Sequence, residues 1–141
     1  MRVLLVEPEY RRLSASKKRL AQEAGASPSV GKRETRDDEI LWYPPLGLMK
    51  LSRFHKERGD EVHFVSGCDP SIAVQQSLLS RPKLWDRVYI TTLFTYDFTK
   101  IVETIKFYKN AVGGTSHRVY VGGIMASLMP DAVYEETGIY P

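Results

Sequence analysis

Apolar and polar positions alternate in blocks along this chain, and the blocks change period in a regular order. Residues 2–6, Arg-Val-Leu-Leu-Val, form a continuous apolar run of the kind found in a central strand buried on both faces. Glu7-Pro8-Glu9 ends it, because proline cannot donate to a continuing ladder. From about Pro45 the period lengthens to that of a helix, with Leu48, Leu51, Phe54 and His55 near one face and Gly59 as the stop. Glu61 to Val65 alternates as a strand nearer a sheet edge does, and Gly67-Cys68-Asp69-Pro70 turns the chain. Ile72 to Leu79 predicts a short helix, ended by Arg81-Pro82.

Val88 to Phe94 is β-branched and aromatic, a third strand. Asp97 is placed to cap the next helix, whose Phe98, Ile101, Val102, Ile105 and Tyr108 recur at spacings of three and four. Gly113-Gly114 ends that helix, and His117 to Val121 is the fourth strand. A Gly122-Gly123 turn follows, then a helix opening at Pro130-Asp131, where proline loses nothing by lacking an N–H.

This β-α-β-α-β-α-β-α pattern predicts an α/β fold, a flavodoxin-like (Rossmann-like) doubly wound parallel sheet with helices on both faces. The strongly apolar first strand and the more polar second favour the order 2-1-3-4. A fifth strand would complete such a sheet, and the expectation is that residues 1–141 are one domain of a longer protein. Residues 9–43 interrupt the pattern. Arg11, Arg12, Lys17, Lys18 and Arg19, with Leu13, Leu20 and Ala21, suit a short amphipathic helix, and Gly25 through Glu39 reads as an exposed excursion.

Composition narrows the class without naming an activity. With 43% hydrophobic and 26% charged residues, 141 residues suit one soluble domain. A net charge of +3, dispersed along the chain, makes a nucleic-acid partner unexpected. No apolar run approaches the roughly 20 residues of a membrane span. The single cysteine, Cys68, excludes an internal disulfide, suits a reducing cytoplasm, and is too few for a cysteine-held iron–sulfur cluster in this chain.

Catalytic chemistry is sparse. His55, His63 and His117 fall in three different elements at no metal-ligand spacing, so no metal site is expected. Cys68 stands alone, and neither a Walker loop, a G-x-S-x-G elbow nor a G-x-G-x-x-G after the first strand is present. A phosphorelay receiver needs an Asp ending strand three, where Thr91-Thr92 stand instead. No catalytic residue is assigned. Binding remains: ligands of open parallel sheets lie beyond the carboxyl ends of the strands, which brings Glu7-Pro8, Thr91 to Thr95 and Gly122 to Met125 around one crevice. Threonines offer hydrogen bonds from rigid positions, and Gly122-Gly123 let a flat group approach the backbone.

Several motifs resemble the cobalamin-binding-like domain that precedes the catalytic barrel in many radical S-adenosylmethionine (radical SAM) enzymes, and the resemblance covers nearly the whole chain. Tyr43-Pro44-Pro45-Leu46-Gly47-Leu48, followed by a helix ending Glu57-Arg58-Gly59-Asp60-Glu61-Val62, is similar to that family's P-P-L-G-L helix and R-G-x-x-V strand start. Thr91-x-Leu93 resembles its S/T-x-L signature. Val121-Gly122-Gly123 with Ala126-Ser127 and Pro130-Asp131 resembles its G-G-x-x-A/S-x-x-P-E element. The resemblance implies that Thr91 hydrogen-bonds the nucleotide tail of cobalamin, that Leu93 packs near it, and that Gly122 and Gly123 leave room for the benzimidazole. The methionine synthase branch carries D-x-H-x-x-G after strand one; Glu7-Pro8-Glu9-Tyr10 has no such histidine, so cobalamin here would lack a histidine lower ligand. Met125 stands where many relatives carry histidine. S-adenosylmethionine, a 4Fe-4S cluster and the small-molecule substrate would belong to a downstream barrel, this domain's implied partner. Two other readings stay open: a cofactor-free domain that packs on the barrel and helps enclose substrate, and an independent small-molecule or nucleotide-binding module.

Overall fold

A computed structural model describes residues 1–9, 45–74, 85–93 and 95–141. The described residues carry strands β1 (Arg2–Glu7), β2 (Glu61–Ser66), β3 (Arg87–Thr92) and β4 (Val119–Gly123) in one sheet of order β2-β1-β3-β4. All three pairings are parallel, with Leu5 opposite Phe64 on β2 and Tyr89 on β3, and Ile90 opposite Val121. The α/β class and the 2-1-3-4 order are those the hydrophobic pattern predicts. The excursion of residues 9–43, with its basic cluster, lies outside the described residues except for Glu9. So do Phe94 and residues 75–79 of the helix expected over 72–79; the described helix α2 is Pro70–Val74, starting two residues earlier than expected.

Two cores follow from the period-2 geometry of the strands. Val3, Leu4, Leu5 and Val6 of β1 are all buried, as a central strand covered on both sides requires. Val3 and Leu5 pack with Leu48 of helix α1 (Leu46–Glu57). Leu4 and Val6 join the larger core with Val88, Ile90, Val119 and Val121. Helix α3 (Phe98–Ala111) covers that face with Ile101, Ile105 and Tyr108, and helix α5 (Pro130–Thr137) adds Val133. Helix α1 stops where expected: Gly59 takes φ +79°, the left-handed conformation that closes a helix without a Cβ penalty.

Several boundaries differ from the sequence reading, among them the end of β3, which stops at Thr92 and does not run on through Leu93. His117 lies in a 3-10 turn (Ser116–Arg118), and β4 begins two residues later. Gly122 and Gly123 are the last two residues of β4 rather than a turn beyond it, because Thr91 and Thr92 extend the ladder to meet them. Helix α4 (Ile124–Leu128) starts immediately afterwards, before the Pro130 helix.

Candidate functional site

The alternation that buries Ile90 and Val121 turns Tyr89, Thr91, Tyr120 and Gly122 to the opposite face, where α1 covers only part of the sheet. A groove of about 230 Å³ results, walled by Gly47, Leu48 and Leu51 of α1 and floored by β3 and β4. Its lining is mostly apolar. Tyr89 and Tyr120 stack with ring centroids 5.1 Å apart at 24°, forming its aromatic part. Thr91 and Gly122, opposite each other in the ladder, form the part nearest the carboxyl edge.

The two threonines that end β3 do different work. Thr92 is buried, donates from Oγ1 to the Gly122 carbonyl at 3.0 Å, and accepts from the Ala126 N–H at 3.0 Å. It ties the strand to the first turn of α4. Thr91 is half-buried on the groove side, and its hydroxyl makes no hydrogen bond among the described residues.

The paired glycines divide in the same way. Gly123 has φ +115°, and a Cβ there would stand 2.8 Å from the Thr92 nitrogen and closer still to its carbonyl oxygen. The fold itself requires glycine at that position. At Gly122 nothing lies within 4 Å of where a Cβ would be, and the same holds at Gly47 across the groove. Neither of these two is small because the protein crowds it.

Of the sequence-predicted site residues, the structure brings Thr91, Gly122 and Gly123 together in the groove lining. Leu93 is exposed past the end of β3 and lies outside that lining. Glu7 is buried at the carboxyl end of β1 and lies outside that lining. Sequence reasoning missed Tyr89, Tyr120 and Gly47. The signal was present: Tyr89 and Tyr120 each stand two residues before a chosen position, and period 2 puts them on the same face.

A polar network at the other end of the groove was also missed. His55, only 1% exposed, donates from Nδ1 to Asp60 at 2.8 Å, which leaves Nε2 to accept from the Tyr89 hydroxyl at 3.2 Å. Arg87 donates to the same phenolic oxygen at 3.2 Å and lies over the Tyr120 ring, 5.7 Å from its centroid. The His55 hydrogen bond, seconded by the Met1 ammonium 3.2 Å away, holds the Asp60 carboxyl below its usual range against the opposing effect of desolvation. The hydrogen bond to the Tyr89 hydroxyl raises Arg87. These partners fix the Tyr89 ring and so the depth of the groove.

Neither remaining histidine suggests chemistry: His63 pairs with Glu61 at 2.7 Å on the surface, and His117 is exposed. Cys68 is an exposed free thiol whose Sγ lies 3.8 Å from Thr104 Oγ1. Among the described residues no group of three metal-ligating side chains is present, and no helix is long and apolar enough to cross a membrane. Compared with known proteins, the chain matches no family model and no curated sequence.

Proposed function

We propose that this chain is a cofactor-binding or accessory domain of a radical SAM enzyme, and that its groove takes the flat benzimidazole tail of cobalamin. One observation carries the reading. Gly122 and Gly47 both line an apolar groove, with nothing within 4 Å of where their Cβ atoms would stand, beside a Thr91 hydroxyl that makes no hydrogen bond among the described residues. A ligand that needed a flat, hydrocarbon-lined slot and one hydrogen bond would account for all three.

The volume supports a tail rather than a whole cofactor, since sites that enclose a complete drug-sized ligand run from about 300 to 1,000 Å³. Thr91 would hydrogen-bond the nucleotide, and Gly122 with Gly123 would form the floor under the ring. Leu93, at the strand's end, would meet the portion that projects beyond the groove. Cobalamin, when bound, supplies a cobalt centre that carries a methyl group. Neither Glu7, Pro8 nor Glu9 offers it a histidine, so this chain contributes no such lower ligand from the end of β1. In this reading S-adenosylmethionine, the iron–sulfur cluster and the substrate are held by a barrel on which the domain packs.

The test is retention of colour. The purified chain is mixed with hydroxocobalamin, freed of excess, and its visible spectrum recorded beside that of Gly122→Trp. Wild type should retain the corrin absorption and the variant should lose it. Equal retention by both would move the ligand out of the groove. A specific observation favours the cofactor-free alternative in the other outcome: Phe64 and Tyr120 are 50% and 43% exposed on the α1 side of the sheet, a surface suited to packing on another domain. Colourless wild type would favour that reading.

A further inference from the structure

His55 is almost closed to solvent, at 1% exposure, and both of its ring nitrogens are engaged. In the neutral ring the Nδ1 proton goes to Asp60, and the bare Nε2 accepts from the Tyr89 hydroxyl. The phenolic oxygen keeps room for one more donor, and Arg87 supplies it at 3.2 Å. Every polar atom of this group is then used.

A second proton on the ring breaks that arrangement. Nε2 becomes a donor facing an oxygen that already accepts from Arg87. The phenol proton, displaced from Nε2, has no other acceptor among the described residues. The new charge also stands across a single oxygen atom from the Arg87 guanidinium, on a side chain that water hardly reaches.

The surrounding charges decide which bond survives. Helix α1 packs on β1, β2 and β3. From the turn before β2 comes Asp60, 2.8 Å from Nδ1, and the Met1 ammonium ahead of β1 shares that carboxylate at 3.2 Å. From β3 come Tyr89 and the Arg87 cation, with Tyr120 of β4 stacked on Tyr89. Glu61 of β2 is paired with Arg2 and His63. Glu57 of α1 is paired with Arg53, and Arg58 beyond the helix end lies over the Phe54 ring. Among the described residues Asp60 is thus the carboxylate that meets the ring. Protonation strengthens the Nδ1 bond by charge and gives up the Nε2 bond.

The consequence reaches the groove, because Tyr89 lines it and stacks on Tyr120 there. We propose that His55 is a proton-operated latch on this groove: the neutral imidazole fixes the Tyr89 ring, and the imidazolium lets it go. The latch rests on the proposed function only in taking the groove as the binding surface. It is built from the chain's own residues and requires no particular ligand.

The experiment is therefore done without ligand, and its failure is distinct from failure of the groove reading. The carbon-bound ring protons of His55, Tyr89 and Tyr120 are followed by NMR from pH about 8 to 5, the range in which an imidazole changes charge. The Tyr89 and Tyr120 resonances should move with the midpoint of His55, and the tyrosine near-ultraviolet dichroism should fall over the same interval. In His55→Gln, which takes up no proton there, both signals should stay flat at a weakened level. His63→Gln and His117→Gln remove the two exposed histidines and should leave the Tyr89 response as in wild type. The wild-type titration alone carries the test if His55→Gln does not fold. A His55 that keeps one charge state throughout, or one that titrates while the Tyr89 ring is silent, would overturn the proposal. So would a Tyr89 response that persists in His55→Gln.

Discussion

The backbone of Thr92 occupies the space in which a side chain on Gly123 would begin, with a Cβ there 2.8 Å from the Thr92 nitrogen. Its neighbour Gly122 has no such constraint, so two adjacent glycines are small for different reasons. Gly123→Ala should destabilise the fold by about 2–4 kcal/mol, from positive φ and from displacing the β3 backbone. Gly122→Ala should leave stability unchanged or raise it by up to about 1 kcal/mol, because alanine restricts the unfolded chain. Urea unfolding of both variants decides it. Equal losses would show that Gly122 is also structural and would remove the main support for the groove.

Thr91 and Thr92 make a second such pair. Thr92→Val removes the bond to the Gly122 carbonyl and strands the buried Ala126 N–H, a loss of about 1–3 kcal/mol. Thr91→Val should cost less than about 0.5 kcal/mol and should weaken retention of any groove ligand. Thermal or urea unfolding beside the hydroxocobalamin assay separates the roles. A Thr91 variant as unstable as the Thr92 one would mark its hydroxyl as a fold contact.

Much of this fold can be read directly from periodicity. The apolar run of β1 and the three-four stripe of α3 are strong signals, and both elements lie where they predict. The limits of β4 were less legible, because a Gly-Gly pair reads as a turn when only local propensity is weighed. It is the pairing with Thr91 and Thr92, a contact 31 residues away along the chain, that keeps those glycines in the strand. The site divides along the same line. Thr91 and Gly122 were visible as motif positions, whereas the network of His55, Asp60, Tyr89 and Arg87 exists only once α1 is laid against β3. Asp97 shows the opposite failure: its residue type and position promise a cap, and tertiary placement withholds the bond.

Tyr108 carries a load at the far side of the sheet from the groove. Its buried hydroxyl donates to the Gly67 carbonyl at 2.7 Å and accepts from the Asp69 N–H at 3.2 Å, pinning α3 to the turn after β2. Tyr108→Phe should cost about 1–3 kcal/mol, since both backbone groups lose their partner. Burial raises the phenol above its ordinary value, so the folded state holds this proton more tightly than the unfolded state does. The resulting stability is fully present below the ordinary phenol range, about 10, and is lost as pH rises through the folded value. Alkaline unfolding of wild type and Tyr108→Phe should therefore converge above that range. Parallel curves would count against the buried-phenol account.

Acid should release the other end of the groove. Asp60 is held below its ordinary value first by the hydrogen bond from His55 and then by the Met1 ammonium. A carboxylate depressed in the folded state adds stability that is present above its unfolded value, about 3.9, and is lost as pH falls through the lower folded one. Asp60→Asn should therefore differ most from wild type near neutral pH, and the gap should close below pH about 4. Asp69, depressed by hydrogen bonds from Ser71, titrates in the same direction, so the comparison must be between variants and not between pH values alone. The cause can be checked separately from the stability. In His55→Gln the carboxyl resonance of Asp60 should titrate at higher pH than in wild type, because its strongest stabilising bond has changed from imidazole to amide. Loosening His55 also frees Tyr89 from one of its two partners, so the near-ultraviolet dichroism of the Tyr89–Tyr120 stack should weaken in the same variant. An unmoved Asp60 titration with an intact stack would mean that the His55 bond neither tunes the carboxylate nor sets the groove's aromatic floor.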